Sequence, residues 1–515
     1  MLKLAEMGLK KPLLKIIMEY YKGRTARLKM DGALTEAFQT ILGVIQGEPP
    51  SPELFKAYIH KLSELLDEVE DLPELNKIIL SHLLWADDLY VNALTPEGLQ
   101  KLLDILSKYC NEWGLIPNAA KCNILIFNGN EDDKTLVFKI GEDTISHTDS
   151  YTYLGLELTR DGKLNTAART LAAKGKRAMG SLMGSIDKTI VKPEMSLKLF
   201  NSLVKPILLY GSQIWIPLLA PKQVIGLSTP NLATFFNSHA ECGGERVHLR
   251  FLKWILGVNK KTTNVFTWGE LGEVPLLFSA LDQAVSYYKR VSVAPAGSLL
   301  YHTIQEQKRH GLKWWVTMSG VENSSIQELK KQFMGLCDTY KLCHSKTQFL
   351  ASSNTKFGMQ RYIQVVDSFQ SRRTWAKLRG SASCLAIETG RYQQPPIEPD
   401  KRYCPLCQDM GLLEVEDEQH FLGGCPVLQE ARQPMIELLQ GQTINGETIS
   451  NTTDKGKLNT MLNTIYRMYT IRAKPKETQL TVEGMAVDFL LNNWIPPDTE
   501  YYVSMTTFMP RNPAS

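Results

Sequence analysis

The 515-residue sequence has little net charge, no long uninterrupted apolar run and no regular pattern of cysteines. Its formal net charge is only +4, so total charge indicates no particular class of partner. The most apolar window, LVKPILLYGSQIWIPLLA, contains Lys205, Pro206 and Gly211, which disfavour a membrane span. The nine cysteines are odd in number and irregularly spaced, which argues against a secreted disulfide scaffold. We therefore predict a nuclear or cytoplasmic protein that is neither secreted nor bound in a membrane.

The length exceeds that of one ordinary core, so several domains are expected. Strand and helix patterns mix early in the chain and helical patterns dominate later, which predicts an α+β fold followed by a mainly α C-terminal region. One helix is well signalled in TPEGLQKLLDILSKYCNEWGL, where Thr95 would cap it and Gly114 would end it. The predicted segments are an α+β domain (1–158), a basic helical segment (159–217), a linker (218–245), a helical connector (246–375), a Cys/His region (376–435) and an irregular tail (436–515).

Two adjacent carboxylates stand between apolar runs in LLWADDLYVNAL, residues 83–94. The alternation of the flanks predicts a strand, a tight turn and a second strand. Aspartates are common in solvent-exposed turns. Held at the tip of a hairpin that is embedded in a core, however, Asp87 and Asp88 would also suit Mg²⁺ or Mn²⁺, which prefer oxygen ligands. Such ions assist phosphoryl transfer.

A second candidate metal site has the spacing C-x2-C-x12-H-x4-C, formed by Cys404, Cys407, His420 and Cys425. Two thiolates in a turn stiffened by Pro405, closed by a histidine and a third thiolate, match a tetrahedral Zn²⁺ site. We predict a zinc knuckle here. A purely structural role is compatible with the pattern, and the alternative is three core cysteines and a surface histidine without a metal.

A basic stretch follows the α+β domain. From Arg160 to Lys205 there are ten Lys or Arg residues against three acids. Such a stripe can lie along a phosphate backbone, or it can be an ordinary solvated helix face.

Taken in order, these motifs resemble the non-LTR (LINE-type) retrotransposon reverse transcriptases. LLWADDL resembles the family's YADD signature, with Trp85 in place of the tyrosine, and GVIQGEPPSPELF is similar to the block GVRQGDPLSPLLF that precedes it. EGLQKLLDILSKYCNEWGLIPNAAKCNILIF resembles the helix and strand that follow. YTYLGLEL resembles the primer-grip hairpin, and LFNSLVKPILLYGSQIW resembles the thumb. The resemblance extends over residues 1 to about 430 and includes the Cys/His region.

The resemblance implies a partial palm at 1–158, a thumb at 159–217 and a role for several residues. By position, Asp87 and Asp88 would bind the catalytic Mg²⁺. The other matching positions are Gln46, Gly47 and Trp85 for nucleotide and template, Lys121 for protonation of the leaving pyrophosphate, and Tyr153, Leu154 and Gly155 for the primer grip. On its own, Lys121 is better interpreted as an exposed lysine after a turn, and the alternative for the grip residues is ordinary hairpin core.

The implied activity is RNA-directed DNA polymerisation with an RNA template, a DNA primer or RNA–DNA hybrid, and deoxynucleotides. The family carries a third catalytic aspartate on an earlier strand, which this sequence does not contain. We therefore expect the chain alone to be inactive. The alternative is a non-catalytic RNA- or DNA-binding protein that acts through the thumb and the zinc knuckle. The oligomeric state is left open.

Overall fold

A computed structural model describes residues 2–30, 32–40, 43–45, 47–70, 72–86, 88–219, 243–321, 326–343, 347–353 and 355–473. The chain forms two compact units. Unit 1 comprises Met1–Asp187, Val191–Leu252 and Glu273–Tyr340, and unit 2 comprises Lys188–Ile190, Lys253–Gly272 and Lys341–Ser515. The six segments predicted from the sequence are a finer division, and their boundaries stay predictions. Most of the predicted linker, residues 220–242, lies outside the described residues.

Strands occupy only the early part of the described chain. They lie at Thr25–Ala26, Lys29–Met30, Ala33–Leu34, Phe38–Gln39, Glu74–Leu75, Ile78–Ile79, His82–Trp85, Asp88–Val91, Asn123–Ile124, Phe138–Ile140, Asp143–His147, Ser150–Tyr153 and Leu156–Thr159. They form separate two-stranded hairpins and one three-stranded sheet. Helices accompany the strands and then replace them, in agreement with the predicted α+β fold followed by a mainly α region.

The α-helices of the first half lie at Leu2–Glu6, Lys11–Tyr21, Ser51–Leu66, Pro96–Trp113, Asn165–Ser185, Pro193–Leu203, Lys205–Leu208, Ser212–Leu219 and Gly243–Leu256. Those of the second half lie at Asn264–Leu271, Leu276–Ser292, Leu299–Arg309, Lys313–Val321, Ile326–Cys343, Gln348–Ser352, Arg361–Val365, Phe369–Arg379, Ala386–Thr389, Pro405–Gln408, Gln429–Leu439, Gly446–Ser450 and Lys455–Ala473. Across the described ranges, each helix is too short or too polar to cross a bilayer.

Helix Pro96–Trp113 begins and ends where its local sequence predicts. The Thr95 hydroxyl accepts a hydrogen bond from the Gly98 amide at 3.1 Å, and Gly114 takes the left-handed conformation (φ +66°) that closes the helix. The apolar face of the helix packs Leu102 and Tyr109 against Leu66 of the neighbouring helix. This core supports the base of the hairpin that carries the paired aspartates, because Leu89 and Val91 pack on it.

Unit 2 contains a helix that the sequence does not signal. Residues 436–515 are predicted to be irregular, whereas Lys455–Ala473 is a helix. Its Thr and Asn residues have low helix propensity, so its local sequence predicts a helix only weakly. Packing against Phe369–Arg379 and Gln429–Leu439 overrides that propensity and buries a row of apolar side chains. Residues 474–515 lie outside the described part of the chain.

Candidate functional site

The aspartate hairpin consists of strands His82–Trp85 and Asp88–Val91. Its register pairs Trp85 with Asp88, and Ala86, which follows the first strand, has a positive φ of +55°. Asp87 itself lies outside the described residues. The Asp88 side chain is exposed, and no basic group forms an ion pair with it in the described ranges. A carboxylate that no nearby cation neutralises remains available to a metal ion.

The grip hairpin consists of strands Ser150–Tyr153 and Leu156–Thr159. Its turn residues Leu154 and Gly155 both have positive φ, +45° and +84°. Positive φ at both central residues is the mark of a type I′ turn, whose twist matches that of the strands. Leu154 is unusual in this conformation, because a branched side chain disfavours it, so neighbouring contacts must hold the turn.

The structure brings the two hairpins together, although 58 residues, 92–149, lie between them in sequence. The rings of Tyr90, on the aspartate hairpin, and Tyr153, on the grip hairpin, have centroids 5.8 Å apart. Burial raises the pKa of the Tyr153 hydroxyl, and the negative charge of Asp88 raises it further. Asp88 is therefore electrostatically coupled to the first residue of the predicted primer grip.

A polar chain anchors the start of the aspartate hairpin. His82 Nε2 lies 2.9 Å from Ser63 Oγ and its Nδ1 lies 2.6 Å from Ser81 Oγ, while Ser81 donates in turn to Asp67. Burial lowers the pKa of His82 and outweighs the opposing charge of Asp67. The partners fit a neutral imidazole protonated on Nδ1, which ties the strand to helix Ser51–Leu66.

Tyr210 holds the turn of the grip hairpin and was missed from the sequence. Its hydroxyl donates to the Leu154 carbonyl at 2.6 Å. A Cβ added at Gly155 would lie 2.9 Å from the Tyr210 ring, so only glycine lets the ring cover the turn. Tyr210 stands within LFNSLVKPILLYGSQIW, so the thumb-like motif was the available signal for this contact.

Of the remaining predicted polymerase residues, Trp85 lies on the aspartate hairpin, whereas Gly47 and Lys121 make no described hydrogen bond to it. Gly47 is exposed with φ +90°, next to Glu48, whose carboxylate binds Arg24 at 3.0 Å. Lys121 ends a 3-10 turn and is exposed. Trp85 is 65% exposed beside the turn. Gln46 lies outside the described residues.

The first helix of the predicted thumb, Asn165–Ser185, is amphipathic and presents a basic face. It buries Leu171 and Met179, while Arg169, Lys176 and Arg177 are exposed. None of these three cations has a carboxylate partner within the described chain. Such a face is available to phosphate groups.

The predicted zinc ligands converge on one point in unit 2. One ligand atom from each of Cys404, Cys407, His420 and Cys425 lies within 4.8 Å of the others. Cys407 Sγ is 3.7 Å from Cys425 Sγ and 3.4 Å from His420 Nε2. Tetrahedral zinc with Zn–S bonds of about 2.3 Å separates two sulfurs by about 3.8 Å, so the spacing fits that ion.

Local structure presents these four ligands. Cys404 and Cys407 flank the start of the short helix Pro405–Gln408, while His420 and Cys425 bracket a π turn. The hydrogen bond with the Cys404 thiol lowers the pKa of Cys425, while burial raises the pKa of Cys407 to about 11. Buried Arg432 donates to the Cys425 carbonyl at 3.0 Å and orients that ligand's backbone.

The sequence is similar to known reverse transcriptase and transposon-derived proteins. Residues 1–158 match the family described as reverse transcriptase (RNA-dependent DNA polymerase). The sequence is 28% identical over 207 residues to a retrovirus-related Pol polyprotein from a type-2 retrotransposable element of Drosophila melanogaster. The matched region covers 39% of this chain and 19% of that relative. It is 31% identical over 150 residues to a retrovirus-related Pol polyprotein from a type-1 retrotransposable element of Nasonia vitripennis, a match that covers 27% of this chain and 14% of that relative. A transposon-derived protein of Caenorhabditis elegans is 30% identical over 140 residues, 26% of this chain and 49% of the relative. The chain therefore spans less than half of the length of each of these relatives.

Proposed function

Because residues 1–158 are a reverse transcriptase domain related to those of non-LTR retrotransposon Pol polyproteins, we propose that the chain binds an RNA template paired with a DNA primer and serves RNA-directed DNA polymerisation. In this proposal the aspartate hairpin is the polymerase centre, the grip hairpin holds the primer end and the first thumb helix follows the duplex. A nuclear or cytoplasmic location is part of the proposal.

The observation that carries the proposal is the contact between the two hairpins. A polymerase must hold the primer 3′-hydroxyl close to the carboxylates that bind its metal ions. The Tyr90–Tyr153 contact places the grip turn beside the strand that begins at Asp88. Tyr210 then fixes the Leu154 carbonyl, so thumb and grip are joined at the same turn.

Asp87 and Asp88 would hold Mg²⁺ or Mn²⁺. When bound, the ion would neutralise developing charge on the nucleotide phosphates. The protein's own residues would position the strands: Trp85, exposed at the turn, offers a face on which a base can stack. Gln46 and Gly47 would lie against template and nucleotide. Lys121 would donate a proton to the leaving pyrophosphate.

The aspartate hairpin is tested by divalent-cation binding. We expect Asp88→Asn to weaken Mn²⁺ binding by roughly tenfold or more, because it removes an anionic ligand from a two-carboxylate site. Electron paramagnetic resonance of free Mn²⁺ measures the affinity. Asp143→Asn is the matched control, since exposed Asp143 also opens the second strand of a hairpin and pairs with Ile140 as Asp88 pairs with Trp85. Equal affinities in the two variants would contradict the metal role of Asp88.

The thumb is tested by its salt dependence. Each phosphate contact contributes about 0.9 to the slope of log affinity against log salt for a duplex. We expect Lys176→Gln with Arg177→Gln to reduce that slope on an RNA–DNA hybrid by roughly 1.8. Fluorescence anisotropy at several salt concentrations measures it. Lys331→Gln is the control, because exposed Lys331 already faces Glu328. An unchanged slope in the thumb variant would indicate an ordinary solvated helix face.

A second candidate function is nucleic-acid binding without polymerisation, favoured by the unpaired cations of the thumb and by the Cys/His cluster. Primer extension with Mg²⁺ and deoxynucleotides distinguishes the two functions. Incorporation that Asp88→Asn abolishes would assign the polymerase. Hybrid binding without incorporation would agree with the expected inactivity of the chain alone and would favour the second function for this chain. In both cases Zn²⁺ would hold the knuckle together, and the knuckle would stabilise unit 2 or contact nucleic acid.

A further inference from the structure

Three cations of unit 2 form a group outside the sites described above. Arg373 and Lys377 stand one turn apart on helix Phe369–Arg379, and Lys188 comes from a separate segment of the chain. All three side chains are half-buried. We call Lys188, Arg373 and Lys377 the cationic cluster.

Aromatic rings and one backbone carbonyl hold the cluster. The Lys188 ammonium lies 4.6 Å from the Trp254 ring centroid and 4.9 Å from that of Phe369. The Lys377 ammonium lies 5.9 Å from the Tyr469 centroid. These rings attract a cation by their negative faces without neutralising its charge.

Arg373 is fixed by the backbone of a glycine. Its Nε donates to the Gly257 carbonyl at 3.1 Å, and Gly257 has φ +67°. A Cβ at that position would lie 2.7 Å from Arg373 Cγ, so glycine is required for the side chain to pass. The bond uses one nitrogen, and the two terminal guanidinium nitrogens have no protein partner in the described ranges.

The cluster has no carboxylate to balance it within the described chain, because no ion pair joins Lys188, Arg373 or Lys377 to an acid. Burial and, to a smaller extent, the charge of Arg373 together lower the pKa of both lysines to about 8. Half-buried like charges destabilise one another unless an anion joins them. The side chains thus form a preorganised site for an anion with several oxygens.

We propose that the cationic cluster binds backbone phosphates of a nucleic-acid strand, which gives unit 2 a contact of its own besides the thumb. Phosphate groups accept from guanidinium and ammonium donors together, and a polynucleotide supplies them in series. The cluster offers charge rather than a base-reading pattern, so RNA and DNA of one sequence should bind it alike. The inference goes beyond the proposed polymerase function, since it concerns neither hairpin nor thumb.

The test uses the full chain and a labelled 20-nucleotide single strand, as RNA and as DNA. Lys188→Met with Lys377→Met keeps the length of both stems and removes both charges. We expect the slope of log affinity against log salt to fall by roughly 1.4, because each phosphate that the protein neutralises on a single strand contributes about 0.7. Lys188→Arg with Lys377→Arg should retain the slope of the unaltered protein. Lys356→Met with Lys401→Met, which removes two exposed lysines of unit 2, should leave it unchanged.

The outcomes separate this inference from the proposed function. A smaller slope in the cluster variant with an unchanged slope in the thumb variant would support the inference and remove the thumb role. The reverse result would overturn the inference and leave the thumb intact. A smaller slope of the cluster variant on RNA but not on DNA would overturn the inference, because phosphate groups are common to both strands. Zinc content and far-UV circular dichroism confirm that each variant is folded. An unaltered protein that binds the RNA–DNA hybrid but neither single strand would overturn this inference alone, and one that binds no nucleic acid would overturn both proposals.

Discussion

Arg379→Met is expected to lower the free energy of opening of unit 2 by about 3–5 kcal/mol, because it leaves a buried carboxylate without its partner. Arg379 and Glu270 are almost fully buried and form a bidentate pair, with Nε–Oε1 and Nη2–Oε2 distances of 2.7 and 3.1 Å. The same guanidinium also donates to Thr355 and Ser450. Hydrogen exchange of helix Phe369–Arg379 measures the change within unit 2 itself.

An exposed ion pair of the same unit provides the control for this prediction. Lys455 lies 3.1 Å from Asp367, and both side chains are more than half exposed. Lys455→Gln should therefore cost less than about 1 kcal/mol. The double variant Glu270→Leu with Arg379→Met should recover much of the stability, because no buried charge remains. An Arg379→Met effect no larger than that of Lys455→Gln would mean that Glu270 is not buried in solution.

Cys407→Ser is expected to weaken zinc binding by roughly a hundredfold. Structural zinc sites contribute about 10–16 kcal/mol, so one ligand of four accounts for about 3 kcal/mol. The Cys407 sulfur is fully buried and contacts both His420 and Cys425, so its replacement removes a ligand that neighbouring side chains cannot replace. Zinc content after dialysis against a graded chelator, measured by mass spectrometry, gives the change in affinity.

Cys122→Ser is the matched control for the zinc experiment. Cys122 is a half-buried thiol of unit 1 whose Sγ donates to the Asn118 carbonyl at 3.4 Å, and serine can replace that donor. It should leave the zinc content unchanged. Equal zinc content in the two variants would exclude Cys407 as a ligand. Lower zinc with unchanged RNA affinity would favour a structural role for the knuckle, and a parallel decrease in RNA affinity would favour a nucleic-acid contact.

Several features follow directly from short stretches of sequence. Helix Pro96–Trp113 begins after Thr95 and ends before Gly114 because capping hydrogen bonds join residues three or four positions apart. The aspartate hairpin follows from apolar alternation on both sides of a turn. The four zinc ligands were predicted from spacing, because two turns of backbone bring each pair together.

The roles of the other predicted site residues depended on the family resemblance, and they stay predictions. Asp87 and Gln46 lie outside the described residues, so their roles as metal and template ligands remain proposals. Lys121 is exposed, as its alternative interpretation also predicts. Tyr153, Leu154 and Gly155 form a strained hairpin turn. The position of that turn depends on its contacts with Tyr90 and Tyr210, which lie far from it in sequence.

By itself, the sequence determined the parts whose partners are close along the chain: the capped helix Pro96–Trp113, the strand–turn–strand pattern around the aspartates and the spacing of the candidate zinc ligands. The tertiary structure decided which of these parts meet. It placed Tyr90 beside Tyr153, Arg379 against Glu270, Arg373 on the carbonyl of Gly257, and helix Lys455–Ala473 in a core despite its weak signal. Hydrogen bonds within a turn depend on adjacent residues and leave a pattern in the sequence. Packing and charge pairing depend on distant segments that fold onto each other, so their geometry becomes visible only in the assembled structure.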